Sequence, residues 1–563
     1  MQGNQADLPT RNSRGLYFDK KEWDGHPLVG WAWAREKLPD PVYDAWPAAV
    51  DAYWKGWELA IRAMRSPAAG SGLVSNHLYF DFYDDLFAHD SAMMTMFGRF
   101  GHRVFSAIET LDNFYACQHD TGEICREINQ HTGQDFWPND EGDPMSVRLE
   151  NPWEHYHGDW SRVRSYKWSR PTLATHPPAH CRVDGYTDHK FHWAEWLNYK
   201  ITGDASRLER VFRPLESLYR AFEVYLQDRN GLFITDWAGM DNSPRNLQLG
   251  YGVDISSQMV KFARVLADMA DVLNTPAKAQ AYRNQAEIRA EIVRRAMWNP
   301  KTGMFHDLRL DGNLTQIKTV MGFAPLHAEI PTAEQIAGLV AQLENPATFN
   351  RPVRVPSLAA DEADYVPMGE YYLGGVWPYT NAMVTEGLEA AGRAELAGKI
   401  GRNYWETGVK VFEKTGTVWE YFAPEELSPG QGHNPHDPGK NARSDFAGWG
   451  AYPVIATFIE HGIGLRPDAP SRTLQWNLAS TGRCGCRRFA FGDVDTDLIV
   501  SARANADAEP VLEVAQTNRP FTLVLRWGQG QERTFPIPPT SLPHEPHRHQ
   551  EASEKRSRKK RIQ

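Results

Sequence analysis

The chain has 563 residues, 41% hydrophobic and 23% charged, with a formal net charge of −10. That length exceeds one small core, the charge argues against nucleic acid or an anionic membrane as partner, and no apolar run is long enough to span a bilayer. Five cysteines do not make a disulfide scaffold in such a chain, and no Cys/His cluster has metal-site spacing, so neither metal nor cofactor is expected.

Residues 1–40 read as an irregular N-terminal arm. The first stretch, "MQGNQADLPTRNSRG", is polar and lacks the apolar core of a signal segment. It suits a cytoplasmic protein, or an exported one whose leader has been removed. From 41 to 466 the apolar residues recur at spacings of three and four, as in "YDAWPAAVDAYWKGWELAIRAM" (43–64), "SSQMVKFARVLADMADVLN" (256–274) and "KAQAYRNQAEIRAEIVRRAMW" (278–298). Gly203 with Asp204, and Asn230 with Gly231, read as helix ends.

Long loops alternate with short ones along this region, as expected for helical hairpins set in a ring with functional loops at one end. Residues 467–540 change to short alternating strands and read as a small antiparallel β domain. The end, 541–563, is rich in Pro, His, Lys and Arg without an apolar face, and reads as a disordered basic tail.

The aromatic content is high, with 20 Trp and 12% Phe, Trp and Tyr together. Many fall in loops beside Gly, Asp and Asn, as in "GGVWPYTN" and "DFAGWGAY". Aromatic faces beside polar groups suit a small carbohydrate, although a Trp-rich core accounts for part of the total.

Four loop segments carry the candidate chemistry. "DWAGMDNSPR" (236–245) holds Asp241 among Trp237, Met240 and Pro244. Either Asp241 caps its own turn, or it is an acid whose proton is retained in partly apolar surroundings. "TVWEYFAPE" (417–425) places Glu420 between Trp419 and Tyr421. "GEYYLGGVWPYTNAMV" (369–384) carries Tyr372 and Trp377 and starts a helix near Thr380, and "SDFAGWGAYPVI" (444–455) carries Trp449. Near the front, Asp90 opens an apolar helix; it and Thr380 could each be a helix N-cap. Two carboxyls among aromatic platforms match the needs of glycoside hydrolysis, in which one group gives a proton to the leaving oxygen and the other activates water or attacks the anomeric carbon.

The order and wording of these motifs resemble the clan of (α/α)6-barrel glycosidases that includes trehalases, glycoside hydrolase family 63, and bacterial mannosylglycerate and glucosylglycerate hydrolases. "AGMDNSPR" is similar to the clan's general-acid loop and implies Asp241 as the acid. "WEYF" is similar to its base segment and implies Glu420. "HDSAM" matches the segment whose Asp binds the terminal sugar, with His89 where Trp is usual, and implies Asp90. "YYLGGVWPYTN" departs from the clan's Tyr-Trp-Arg-Gly at Leu373 and Gly374.

The resemblance covers about 50–465. It implies an (α/α)6 barrel and an inverting hydrolase of an α-linked glucoside or mannoside; the long loops over one barrel end, which make a pocket rather than a groove, add exo-action on a short substrate. Sugar contacts are then expected from Asp90, Trp237, Asn242, Arg245, Tyr372, Trp377, Trp419 and Trp449, with Arg245 holding either a sugar hydroxyl or the loop itself. Two other classes stay open: a sugar epimerase or polysaccharide lyase working through His, Tyr or Arg, and a non-catalytic carbohydrate-binding protein.

Overall fold

The computed structural model describes residues 14–19, 22–80, 84–120, 122–133, 190–235, 240, 242–245, 250–432 and 442–542. Asp241, Trp237 and the basic tail beyond 542 lie outside these residues. The chain is helix-rich through its central part and β-rich at its C-terminal end.

Two kinds of helix alternate. Pro276–Ala296 and Ala394–Thr415 bury one stripe each, through Ala279, Tyr282, Ala286, Ala290 and Val293 in the first. That is the outward-facing amphipathic pattern. Ala88–Gly98, Val253–Val272 and Pro378–Ala390 are buried nearly all round, so they form an inner layer. Ala88–Gly98 packs on Phe191–Thr202, which packs on Val253–Val272; that helix meets Pro378–Ala390 through the short turn Ala324–His327. Ala394–Thr415 covers both Pro378–Ala390 and the last helix, Pro453–Ile463. This last element is a π-helix of 11 residues, with wider turns than the α-helix that its sequence pattern suggests.

Local chemistry sets the ends. Asp204 caps Ala205–Leu226 by accepting from the Ser206 and Arg207 amides, after Gly203 has closed the previous helix at φ +67°. Asn230 and Gly231 lie beyond the end of Ala205–Leu226, in a turn that returns the chain to Phe233. Asp90 sits inside the first turn of Ala88–Gly98, not at its cap; Pro378, not Thr380, opens the Pro378–Ala390 helix.

The C-terminal part builds two four-stranded sheets. The first recruits Asp40–Tyr43 from the front of the chain, which pairs antiparallel with Cys484–Phe491. In the second, Thr473–Leu478 pairs parallel with Phe521–Trp527, so the expected all-antiparallel arrangement does not hold there. Cys484 and Cys486 are buried free thiols. Among the described residues no helix is long and apolar enough to cross a membrane, and no group of three or more His, Cys, Asp and Glu is placed to hold a metal.

Candidate active site

Glu420 follows the Ala394–Thr415 helix, which ends on Gly416 at φ +75°. The chain then runs extended, pairing Trp419 with Ser444 and Phe422 with Val376. These pairings hold Glu420 between two loops. The residue is only 3% exposed. Its amide donates to the Arg443 carbonyl at 3.1 Å, and the Arg443 guanidinium donates back to the Glu420 carboxylate at 2.9 Å. Gly450 presses on the same backbone: a Cβ there would lie 2.5 Å from the Trp419 carbonyl oxygen.

Asp90 reaches the same place from the inner helix layer. Its carboxyl is pushed up to about 8 by burial first and by the negative charge of Glu420 second, with Arg443 opposing. The native state therefore holds this proton more tightly than the unfolded chain, whose Asp titrates near ~3.9. The stability contributed by neutral Asp90 is complete below about pH 4 and is lost as pH rises through about 8. Asp90→Asn keeps the shape without the titration, so its melting temperature should fall less than the wild type's between about pH 4 and 8. Parallel melting curves for the two proteins would show that the shift is absent.

An aromatic cluster lies against Glu420. Tyr421 stacks on Trp377 at 4.1 Å between ring centroids, and Tyr372 stacks on Trp377 at 4.5 Å. Trp377 is fully buried and both its faces are covered, so it forms a floor beneath the site and offers no face to a sugar. Trp449 stands edge-on to Trp377 at 5.5 Å and to His89 at 5.6 Å, while His89 meets Tyr379 at 4.8 Å. Trp419 goes elsewhere. Its indole packs with the small cluster of Val353, Val376, Tyr404, Val411 and Phe422, and its N–H donates to Thr415.

The segment bearing Asp241 is tied to this region by its neighbour. The Asn242 side chain donates to the Glu370 carbonyl at 3.1 Å and accepts from the Tyr372 amide at 2.9 Å. Tyr371, between those two residues, adopts φ +53° and has its ring 5.7 Å from that of Tyr421. The segment at Asn242 is thus fastened to the turn that abuts the neighbour of Glu420.

Arg245 is 1% exposed, and its guanidinium grips two carboxylates: Asp254 at 2.8 and 3.0 Å, and Asp307 at 2.8 and 2.6 Å. Burial opposes its charge, but Asp254 and Asp307 outweigh burial and raise its pKa. Asp307 also accepts from the Val253 amide, so one buried ion cluster joins the Asp241 loop to the Val253–Val272 helix. Of the two roles expected for Arg245, the geometry serves the holding of the loop.

Glu420, Asp90, Tyr372, Trp377, Trp449 and Asn242 therefore converge, Arg245 anchors from behind, and Trp419 lies apart. Arg443 escaped the sequence reading. It adjoins the aromatic motif that starts at Ser444, but nothing in "NARSDF" separates it from a surface arginine. It is 44% exposed at the edge of the site.

Residues 185–434, a span containing both Asp241 and Glu420, match the family described as the mannosylglycerate hydrolase MGH1-like glycoside hydrolase domain. An uncharacterised protein of Borreliella burgdorferi is 28% identical over 356 residues, covering 62% of this chain and 73% of that one. A mannosylglycerate hydrolase of Thermus thermophilus is 31% identical over 138 residues, but the match spans only 24% of this chain and 32% of that enzyme. The crystal structure of a family 63 mannosylglycerate hydrolase from a second strain of Thermus thermophilus, in complex with glucose, shares the fold, with a TM-score of 0.51 at 18% identity, covering 72% of this chain and 100% of that one. The chain is a glycoside hydrolase. Over the matched span it is similar to the mannosylglycerate hydrolases, within the clan to which the sequence motifs pointed.

Proposed function

We propose that the protein is an inverting, exo-acting hydrolase of a small α-linked mannoside or glucoside, on an (α/α)6 barrel. The observation that carries this is a buried carboxylate, Glu420, near a segment whose Asn242, the sequence neighbour of Asp241, is clamped to the turn at Glu370–Tyr372. Glu420 acts as the base. Arg443, bonded to its carboxylate, orients the group toward a water. Asp241 acts as the acid and gives its proton to the leaving oxygen. An inverting pair needs about 6.5–9.5 Å between carboxyls, room for that water. Asp90, protonated near neutral pH, donates to a hydroxyl of the terminal sugar. Tyr372 and Trp449 border the sugar, with Trp377 supporting both from below and Arg245 fixing the acid's loop; Trp237 is kept as a sugar contact on its motif alone. No resident cofactor is invoked.

The relatives' names supply the substrate class: a hexose joined to a small acid such as glycerate. A panel of α-linked mannosides and glucosides, followed by time-resolved product analysis on an oligosaccharide, tests it. Free monosaccharide should appear from the first time point. Early release of mid-length fragments would contradict exo-action, and an unsaturated or epimerised sugar would contradict hydrolysis.

A further inference from the structure

A cavity of about 290 Å³ is lined by neither Glu420 nor Asp90. Its walls come from the opposite ends of the helices that build the site. Ala88–Gly98 and Pro378–Ala390 present Asp90 and Trp377 at their starts, but Arg99, Glu386 and Glu389 at their far ends. The π-helix Pro453–Ile463 adds Glu460 and His461 from its last turn. Asn381, one helical turn below Trp377, donates to the Trp377 carbonyl and also lines the cavity.

The charges in these walls are largely matched in pairs. Arg99 binds Glu460 at 2.5 Å, Arg466 binds Glu389 and His461, and Lys200 binds Asp468 outside. Glu386 accepts from the Trp193 indole at 2.9 Å, and burial raises its carboxyl against the pull of Lys261 and Arg99. Pairing of this kind leaves little net charge for an ion to answer.

Besides the Arg466 Nε, two polar atoms of the lining residues are buried and unmatched among the described residues. The Asn381 side-chain oxygen and the Tyr404 hydroxyl are both buried without a hydrogen-bond partner among the described residues. Asn381 is 3% exposed and Tyr404 1%. Buried polar groups left this way cost free energy unless a water or ligand answers them. One is an acceptor and the other both donates and accepts, and a hydroxyl group does both.

We propose that this cavity is a second binding site for a small neutral polyol, from a triol up to a single hexose, whose hydroxyls bond Asn381 and Tyr404. Its volume falls at the low end for small-molecule pockets, which bounds the ligand's size.

Glycerol and mannose are the probes, on the full chain. Crystals soaked in either should show the polyol bonded to both atoms. Calorimetry should show Tyr404→Phe weakening that binding about tenfold, the effect of one lost hydrogen bond. Without polyol, Tyr404→Phe should melt no lower than wild type, because it removes a buried unmatched hydroxyl. Glu386→Gln, which keeps an oxygen for Trp193, gives a second variant that should bind glycerol as wild type does, since the ligand is neutral. Binding by glycerol alone or by both probes supports the site and fixes its size. Ordered water alone on Asn381 and Tyr404 at saturating polyol, or unchanged affinity in Tyr404→Phe, would overturn it.

Discussion

Asp241→Asn should lower kcat by about 10²–10⁴-fold on an ordinary glycoside and by much less on the glycosyl fluoride of the same sugar. The amide keeps the shape of the side chain and removes the proton it would give. Fluoride departs without that proton, so the missing acid matters little. Glu420→Gln should lose about as much on the natural-type substrate and stay low on the fluoride, because attack by water still needs a base. Glu420 is held by Arg443, and the amide can keep one of those contacts, so a folded variant with little activity is expected. Equal losses on both substrates for both variants would remove the assignment of roles. Rescue of Glu420→Gln by the good leaving group would reverse it.

Arg245→Met should destabilise the protein by about 3–5 kcal/mol, the usual cost of stranding buried charges by removing their partner. Asp254 and Asp307 would be left buried with no guanidinium between them. Denaturant unfolding measures the loss. Adding Asp254→Asn and Asp307→Asn should return part of it, since the triple variant no longer buries the anions. Activity should fall in Arg245→Met beyond what unfolding explains, because the Asp241 loop loses its anchor. A cost below about 1 kcal/mol would mean the cluster is better hydrated than its burial implies.

Helices with one wet face were legible because their apolar period survives: Pro276–Ala296 and Ala394–Thr415 read directly as amphipathic. The inner helix Ala88–Gly98 was legible only from its apolar length, since a helix buried all round has no face to mark. The π-helix was not legible, because apolar spacing of three and four is satisfied by either winding. Strand partners far apart in sequence were also invisible: nothing in "DPVY" announces its pairing with Cys484–Phe491.

In the site, Glu420 and Asp90 showed themselves as carboxylates among apolar and aromatic residues. The indoles were harder. Trp377 and Trp449 both sit in glycine-bearing aromatic loops, as a sugar platform would, yet both faces of Trp377 are covered by tyrosines that only the fold brings to it. Trp419 borders Glu420 in sequence and turns away in space. Arg245 was ambiguous because its partners, Asp254 and Asp307, lie on other segments. Arg443 gave no signal because its role depends on a pairing between two loops.

In the proposed reaction Glu420 activates a water that attacks opposite the departing group. Proton NMR of the first sugar released from an α-linked mannoside or glucoside tests it most directly. Single displacement by water should give the β-anomer first, with the α-anomer growing in only as the product mutarotates. Release of the α-anomer first would mean two displacements through a covalent intermediate, and would rule out inversion with Glu420 as base.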